Sequence, residues 1–219
     1  MTTIRFTTVG FDLDGTLLDT SRDLGAAVNH ALSLADRAPV PLAEVSGLIG
    51  GGARSMLARA LALTGGADGL DLDALFAQLL AYYEANIAVH TVPYPGTLAM
   101  LDALAERGIK LAVVTNKREP MTLRLFDALG LTSRFACIIG AGTYPLKPAP
   151  DALHAMVAQC GGGAAAFVGD TTFDTGAARN AGLPSVAVSF GFCDAAPHQL
   201  GADAVIDHFD ELLPALARL

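Results

Sequence analysis

The sequence predicts an α/β protein: a doubly wound parallel sheet with an all-helical segment inserted after its first strand. Three observations carry this. Short apolar, β-rich runs alternate with helical patterns along most of the chain. All but the first and last of those runs are apolar on both faces, as strands covered by helices on two sides must be. From about Leu18 to Val92 the alternation stops, and no convincing strand is found there.

The first run, residues 4–11, ends at Phe11 and is followed at once by Asp12, Asp14 and a Gly-Thr turn. Residues two apart on an extended chain face the same way, so the two carboxylates share a face. Carboxylates that close need a cation, a shared proton or separate tasks. Thr20-x-x-Asp23 reads as a capping box opening a helix, with Leu24, Ala27, Val28, Ala31, Leu32 and Ala35 on one face. Residues 53–63 and 72–88 also read as helices, separated by Pro39, Pro41, Gly50–Gly52 and Gly65–Gly69. Pro93-Tyr-Pro-Gly96 marks the return to the core. An insertion of about 75 residues at this point hangs over the carboxyl edge of the sheet, in the place of a lid. Helices over 97–107 and 121–129 then stop at Gly108 and Gly130, between runs near 110–115, 136–139, 166–169, 185–189 and 204–206.

Composition bounds the function. The 219 residues are 52% hydrophobic and carry a net charge of −8 with no long basic run. Nucleic acid and anionic membrane are therefore poor partners. Cys137, Cys160 and Cys193 are odd in number and far apart, unlike a disulfide framework or a zinc site. The first ten residues hold no apolar leader, and no apolar stretch is long enough to span a bilayer. These features describe a reduced, soluble, cytoplasmic protein.

Polar groups follow the apolar runs. Asp12 and Asp14 follow the first, Thr115-Asn116-Lys117 the second, Lys147 the third, and Asp170 and Asp174 the fourth. Carboxylates hold Mg²⁺, and Lys, Thr and Asn bind phosphoryl oxygens. Each cluster has an ordinary reading too. Asp-Gly-Thr is a common turn, and Thr115-Asn116 reads as a strand-end polar cap. Lys147 between prolines reads as a loop charge, and Gly169-Asp170 as a helix cap. Four such coincidences in sequence are what the metal-and-phosphate reading replaces.

The block Phe11-Asp-Leu-Asp-Gly-Thr16, the Thr115-Asn116 pair, the Lys147-Pro148 step and Gly169-Asp170 with Asp174 resemble, in order, the motifs of the haloacid-dehalogenase-like superfamily of phosphotransferases. The resemblance spans nearly the whole chain. Within the superfamily, Asn29-His-Ala-Leu32, Gly50-Gly-Gly-Ala-Arg54, Pro93-Tyr-Pro-Gly96 and Thr115-Asn-Lys117 look most like phosphoglycolate phosphatases. It implies a Rossmann-like core of residues 1–17 and 93–219 with a helical cap of residues 18–92. Asp12 is then the nucleophile that forms an aspartyl-phosphate, and Asp14 the general acid and base. Mg²⁺ is held by Asp12, the main-chain carbonyl of Asp14 and Asp170, with Asp174 directly or through water. Thr115, the Asn116 amide and Lys147 bind the phosphoryl group. Asp14 favours phosphoester over carbon–halogen cleavage, because only an alkoxide leaving group needs a proton.

The cap is expected to set specificity. Gly50–Gly52 let main chain approach a small substrate, and Arg54 either pairs with a carboxylate or points outward from a helix start. The substrate implied is a small phosphorylated metabolite, 2-phosphoglycolate first. A broader phosphatase for sugar phosphates, nucleotides or pyrophosphate is the second reading, and a non-catalytic binding protein on the same fold the third. The expected assembly is a monomer or homodimer. Two departures from the family pattern stand out: Gly140-Ala-Gly-Thr143 where relatives carry an acid, and a bulky Phe173 between Asp170 and Asp174.

Overall fold

All six expected strands form in the computed structural model, which describes residues 4–219. Residues 1–3, the start of the expected core segment 1–17 and of the N-terminus read above as lacking a leader, lie outside the described residues.

The chain enters through β1 (Thr8–Phe11), turns, and forms the two-residue β2 (Leu18–Asp19). Helices α1 (Ser21–Leu34), α2 (Leu42–Val45), α3 (Ala53–Leu63) and α4 (Leu72–Ala85) follow, then β3 (Val92–Pro93). The expectation of no strand between residues 18 and 92 needs one correction. β2 and β3 occupy the two ends of that interval and pair antiparallel, Leu18 with Pro93 and Asp19 with Val92. Two residues leave no apolar run to read, so only the pairing reveals them.

Beyond β3, α5 (Thr97–Ala105), β4 (Lys110–Arg118), α6 (Glu119–Ala128), β5 (Cys137–Ala141), α7 (Asp151–Gln159), β6 (Ala165–Gly169), α8 (Thr172–Ala181), β7 (Ser185–Val188), β8 (Ala204–Ile206) and α9 (Leu212–Leu216) complete the core. The sheet is parallel throughout, in the order β5-β4-β1-β6-β7-β8. β1 lies between β4 and β6, where the winding reverses direction, and ligands bind beyond the carboxyl ends of strands at such a point.

Alternation sends side chains to two covered faces. Val9, Phe11, Leu111, Val113, Ala166 and Val168 join a core that also holds Leu101, Leu104, Phe126 and the buried stripes of α1, α3 and α4. Ala112, Val114, Ile139 and Phe167 pack instead with Leu153, Met156, Ala177 and Ala178 of α7 and α8. Gly10 points to the second face, where a Cβ would lie 2.3 Å from the Met156 sulfur. Among the described residues, no helix is long and apolar enough to cross a membrane.

Candidate active site

The turn after β1 is built around Asp170. Asp12 continues β1, its N–H donating to the Val168 carbonyl at 2.9 Å. Gly15 has φ 86°, and a Cβ there would sit 2.2 Å from Asp170 Oδ2, so glycine is required on both counts. Thr16 Oγ1 donates to Asp170 Oδ1 at 3.1 Å, and the Phe192 N–H donates to Asp170 Oδ2 at 2.7 Å. The Asp-Gly-Thr block is thus a fitted neighbour of the fourth strand end, not only a turn.

Asp12, Asp170 and Asp174 each present a carboxylate oxygen within 4.8 Å of the others, and all three are buried. Burial, opposed by Lys147 and reinforced by Asp174 and Asp14, pushes the Asp12 carboxyl up to about 7. Burial first, then Asp174 and Asp12, raises Asp170 well above the ordinary carboxylate range. A single ammonium answers this charge. Lys147 Nζ donates to Asp12 Oδ1 at 2.6 Å, Asp174 Oδ1 at 2.6 Å and the Val114 carbonyl at 2.9 Å. Burial works against that ammonium, yet the two carboxylates outweigh it and raise its pKa above the usual lysine value.

Asp174 has a second attachment. Its Oδ2 accepts from the Thr171 hydroxyl at 2.6 Å and from the main-chain N–H groups of Thr171 and Asp170 at 3.0 and 3.2 Å. The helix-capping reading considered for Gly169-Asp170 belongs instead to Thr171 and Asp174, which form a capping box at the start of α8. Gly169 admits this packing, since a Cβ there would lie 2.2 Å from the Asp174 Cβ.

Asp14 faces other partners. Lys117 Nζ donates to its two oxygens at 2.9 and 3.1 Å, and Thr20 Oγ1 donates to Oδ1 at 2.7 Å. The expected Thr20-x-x-Asp23 capping box does not form, because Thr20 makes no side-chain cap bond and both side chains have longer-range duties. Thr20 holds Asp14, and Asp23 accepts from the His90 and Thr91 N–H groups and the Thr91 hydroxyl, at 2.7 to 3.0 Å. A buried carboxylate with strong donors from the far end of the inserted segment outcompetes a local cap.

β4 runs past Thr115 to Arg118, with its register to β5 shifting between Val114 and Arg118. Thr115 and Lys117 both line the cavity described below. The Asn116 side chain is a brace: Oδ1 accepts from the Lys147 N–H at 2.8 Å, and Nδ2 donates to the carbonyls of Lys147 and Gly50 at 3.1 and 3.4 Å.

Between the sheet edge and the inserted helices lies a cavity of about 210 Å³ reached by Asp12, Asp14, Thr115, Asn116, Lys147 and Asp174. Asp170 is fully buried beneath it, behind Gly15. The insertion contributes Gly50–Gly52 and an apolar wall that includes Leu24, Ile49, Met56, Leu79 and Leu80. Arg54 stands at the rim. It pairs with Asp73 at 2.8 Å, its guanidinium lies over Phe76 at 4.4 Å, and its side chain is 61% exposed. Phe173 has a role the sequence left blank: its ring lies where a Cβ on Gly50 would be 3.6 Å away, so Phe173 meets the cap loop. Gly140 leaves room for Glu119, whose Cα would be 2.3 Å from a Cβ there and whose carboxylate accepts the Gly140 N–H.

Thr16, Thr20, Thr171 and Tyr83 were not singled out as site residues from sequence, and Lys117 was named only with its cluster and given no role. Lys117 had a readable signal, since it shares a strand face with Thr115. Tyr83 had none: it sits on the buried stripe of α4 like Leu79.

Comparison with known proteins agrees with this geometry. The chain is 42% identical over 211 residues to the phosphoglycolate phosphatase of Agrobacterium fabrum, covering 94% of this chain and 90% of that one. It is 41% identical over 207 residues to the phosphoglycolate phosphatase of Caulobacter vibrioides, covering 92% and 87%. The crystal structure of a predicted phosphoglycolate phosphatase from Haemophilus somnus superposes with a TM-score of 0.89 at 29% identity, covering 96% of this chain and 97% of that one. The family model for haloacid dehalogenase-like hydrolases matches residues 9–188, from the first residues of β1 to the end of β7 and so through every strand end that supplies the site. The chain belongs to the haloacid dehalogenase-like hydrolase family.

Proposed function

We propose that this phosphatase is a Mg²⁺-dependent phosphomonoester hydrolase that works through an aspartyl-phosphate on Asp12, with 2-phosphoglycolate as its substrate. The observation that carries the chemistry is the buried cluster of Asp12, Asp170 and Asp174 around one lysine. The donors are all oxygens, the cluster is short of positive charge, and such a set suits Mg²⁺. Asp12, Asp170 and the Asp14 carbonyl would hold the ion. Asp174, which also anchors Lys147 and Thr171, would complete the set directly or through water. When bound, the ion lets an anionic nucleophile meet an anionic phosphate.

The protein groups divide the remaining work. Asp12 Oδ1 is tied to Lys147, which leaves Oδ2 to attack phosphorus and form the acyl phosphate. Lys147, its three protons shared among Asp12, Asp174 and Val114, supplies positive charge to the phosphoryl group, and the Thr115 hydroxyl and the Asn116 main-chain N–H donate to its oxygens, because the Asn116 side chain is committed to the Lys147 loop. Asp14, held by Thr20 and Lys117, donates a proton to the departing alkoxide and later takes one from the hydrolytic water. The helical segment 18–92 serves as the lid, and its glycine loop at Gly50–Gly52 closes on the phosphoryl end. The substrate assignment rests on the curated relatives and on the cavity, whose apolar cap wall offers few partners for the hydroxyls of a sugar or nucleotide. The three free cysteines accord with a cytoplasmic setting.

Phosphate release from 2-phosphoglycolate, sugar phosphates, nucleotides and pyrophosphate tests this reading. The expected result is preference for 2-phosphoglycolate, loss of turnover in EDTA and recovery with millimolar Mg²⁺. Turnover that survives exhaustive chelation would remove the metal from the proposal, and equal rates on bulky sugar phosphates would remove the substrate. Asp14→Asn is expected to lower kcat on alkyl phosphates by about 10²–10⁴-fold. The loss on p-nitrophenyl phosphate, whose leaving group needs no proton, is expected to be far smaller. Equal losses on both would take proton transfer away from Asp14.

A further inference from the structure

Beside Asp14 the cavity holds two polar groups with no phosphoryl oxygen assigned to them: Tyr83, which the chemistry above does not use, and Lys117, whose role there is only to hold Asp14. Tyr83, on α4, is 2% exposed and lines the cavity, and although the Lys117 ammonium lies close, the Tyr83 hydroxyl proton has no acceptor among the described residues. A buried hydroxyl without a partner costs about 1–3 kcal/mol, a cost that a bound acceptor removes. Burial raises the Tyr83 pKa to about 12, so the phenol keeps its proton and is a donor. The Lys117 ammonium lies over the Tyr83 ring, 4.5 Å from its centroid. Its side chain is 6% exposed, and it touches the two Asp14 oxygens, which a three-proton ammonium can do while retaining a donor.

Four cations line the cavity, and position separates them. Lys147 is committed between Asp12 and Asp174 at the phosphoryl end. Arg54 is committed to Asp73 at the exposed rim, and Arg118 is exposed. Lys117 alone is both buried and beside Asp14, the group that must reach the bridging oxygen. In 2-phosphoglycolate the carboxylate carbon is two bonds from that oxygen. Whatever holds the carboxylate must therefore lie next to the general acid, not at the rim.

We propose that Lys117 and the Tyr83 hydroxyl form the subsite for the substrate's carboxylate, with Lys117 supplying the charge from the core and Tyr83 the hydrogen bond from the cap. This rests on the 2-phosphoglycolate reading above. The subsite recognises a short phosphorylated hydroxy acid, and it gives Lys117 the task that was one of two sequence readings of Arg54. Because one member belongs to each half, the carboxylate also draws the cap onto the core, and a substrate lacking it loses that closure.

The test compares 2-phosphoglycolate with ethyl phosphate, which keeps the bridging oxygen and its methylene but has a methyl group where the carboxylate stands. Tyr83→Phe is expected to raise KM for 2-phosphoglycolate about tenfold more than for ethyl phosphate, since the ring and its packing remain and only the donor is lost. Lys117→Met is expected to lower kcat on both substrates, because it also releases Asp14, and to erase the preference for 2-phosphoglycolate. Arg54→Ala is expected to change both substrates by the same factor. Equal effects of Tyr83→Phe on the two substrates, or a selective loss in Arg54→Ala alone, overturn the subsite and leave the phosphatase reading standing. A wild-type enzyme that shows no preference for 2-phosphoglycolate over ethyl phosphate overturns both the subsite and the 2-phosphoglycolate assignment on which it rests.

Discussion

Asp12→Asn is expected to stop phosphate release and, in the presence of a chelator, to make the protein harder to unfold. The amide cannot attack phosphorus, and loss of a covalent nucleophile costs on the order of 10⁴-fold or more in kcat. The gain in stability comes from the carboxyl's environment. Burial, only partly offset by Lys147, moves Asp12 from 3.8 to about 7. A carboxyl with a raised pKa binds its proton more tightly when folded than when unfolded. Native stability therefore falls as pH rises from about 4 to about 7, and above that the whole penalty is present. It is on the order of 4 kcal/mol, at 1.36 kcal/mol per pKa unit. Asparagine never ionises, so the variant escapes it. Thermal unfolding in EDTA should give the variant the higher Tm at pH 8, by a margin that narrows toward pH 4. A variant less stable than wild type at pH 8 would mean that Lys147 more than repays the burial of Asp12.

Lys147→Met is expected to damage both stability and turnover. Its ammonium bonds Asp12, Asp174 and the Val114 carbonyl, and its side chain is only 3% exposed. Methionine fills much of the volume and none of the charge. Three buried carboxylates are then left without a cation, and breaking a buried ion pair from one side costs about 3–5 kcal/mol. Activity is expected to fall by about 10²–10³-fold or more, as when a preorganised phosphoryl-binding charge is removed. Mg²⁺ should restore part of the Tm, because it relieves repulsion among Asp12, Asp170 and Asp174, without restoring turnover. A variant that melts with wild type in EDTA would show that the carboxylates tolerate one another unaided.

Much of this was legible in the chain because it follows from alternation. Apolar runs marked all six core strands, and the polar residues after the runs marked Asp12, Asp14, Thr115, Asn116, Lys147, Asp170 and Asp174. Partnership was not legible. Asp12 and Lys147 are 135 positions apart and Asp14 and Lys117 103, and no local pattern in the sequence links either pair. Thr20 and Asp23 show the limit most clearly. Their spacing fits a local cap, but cross-chain donors and acceptors bind more strongly than the helix start does. Tyr83 was hidden because an aromatic on a buried helical stripe looks the same whether or not its hydroxyl has work to do.

The short β2–β3 pairing has a consequence for how this molecule can be altered. Leu18 and Pro93 are neighbours in space, so the helical segment leaves the core and re-enters it through one doorway. A segment whose two ends meet is a closed loop, and the entropy of closing a loop grows only as the logarithm of its length. The chain-closure cost of lengthening, shortening or exchanging the helices is therefore small, provided the doorway, the Asp23–Thr91 bond beside it and the apolar contacts shared with the sheet are kept. The strand-end groups to which the chemistry is proposed to belong can thus be inherited unchanged while the helices proposed to select the alcohol are replaced as a unit.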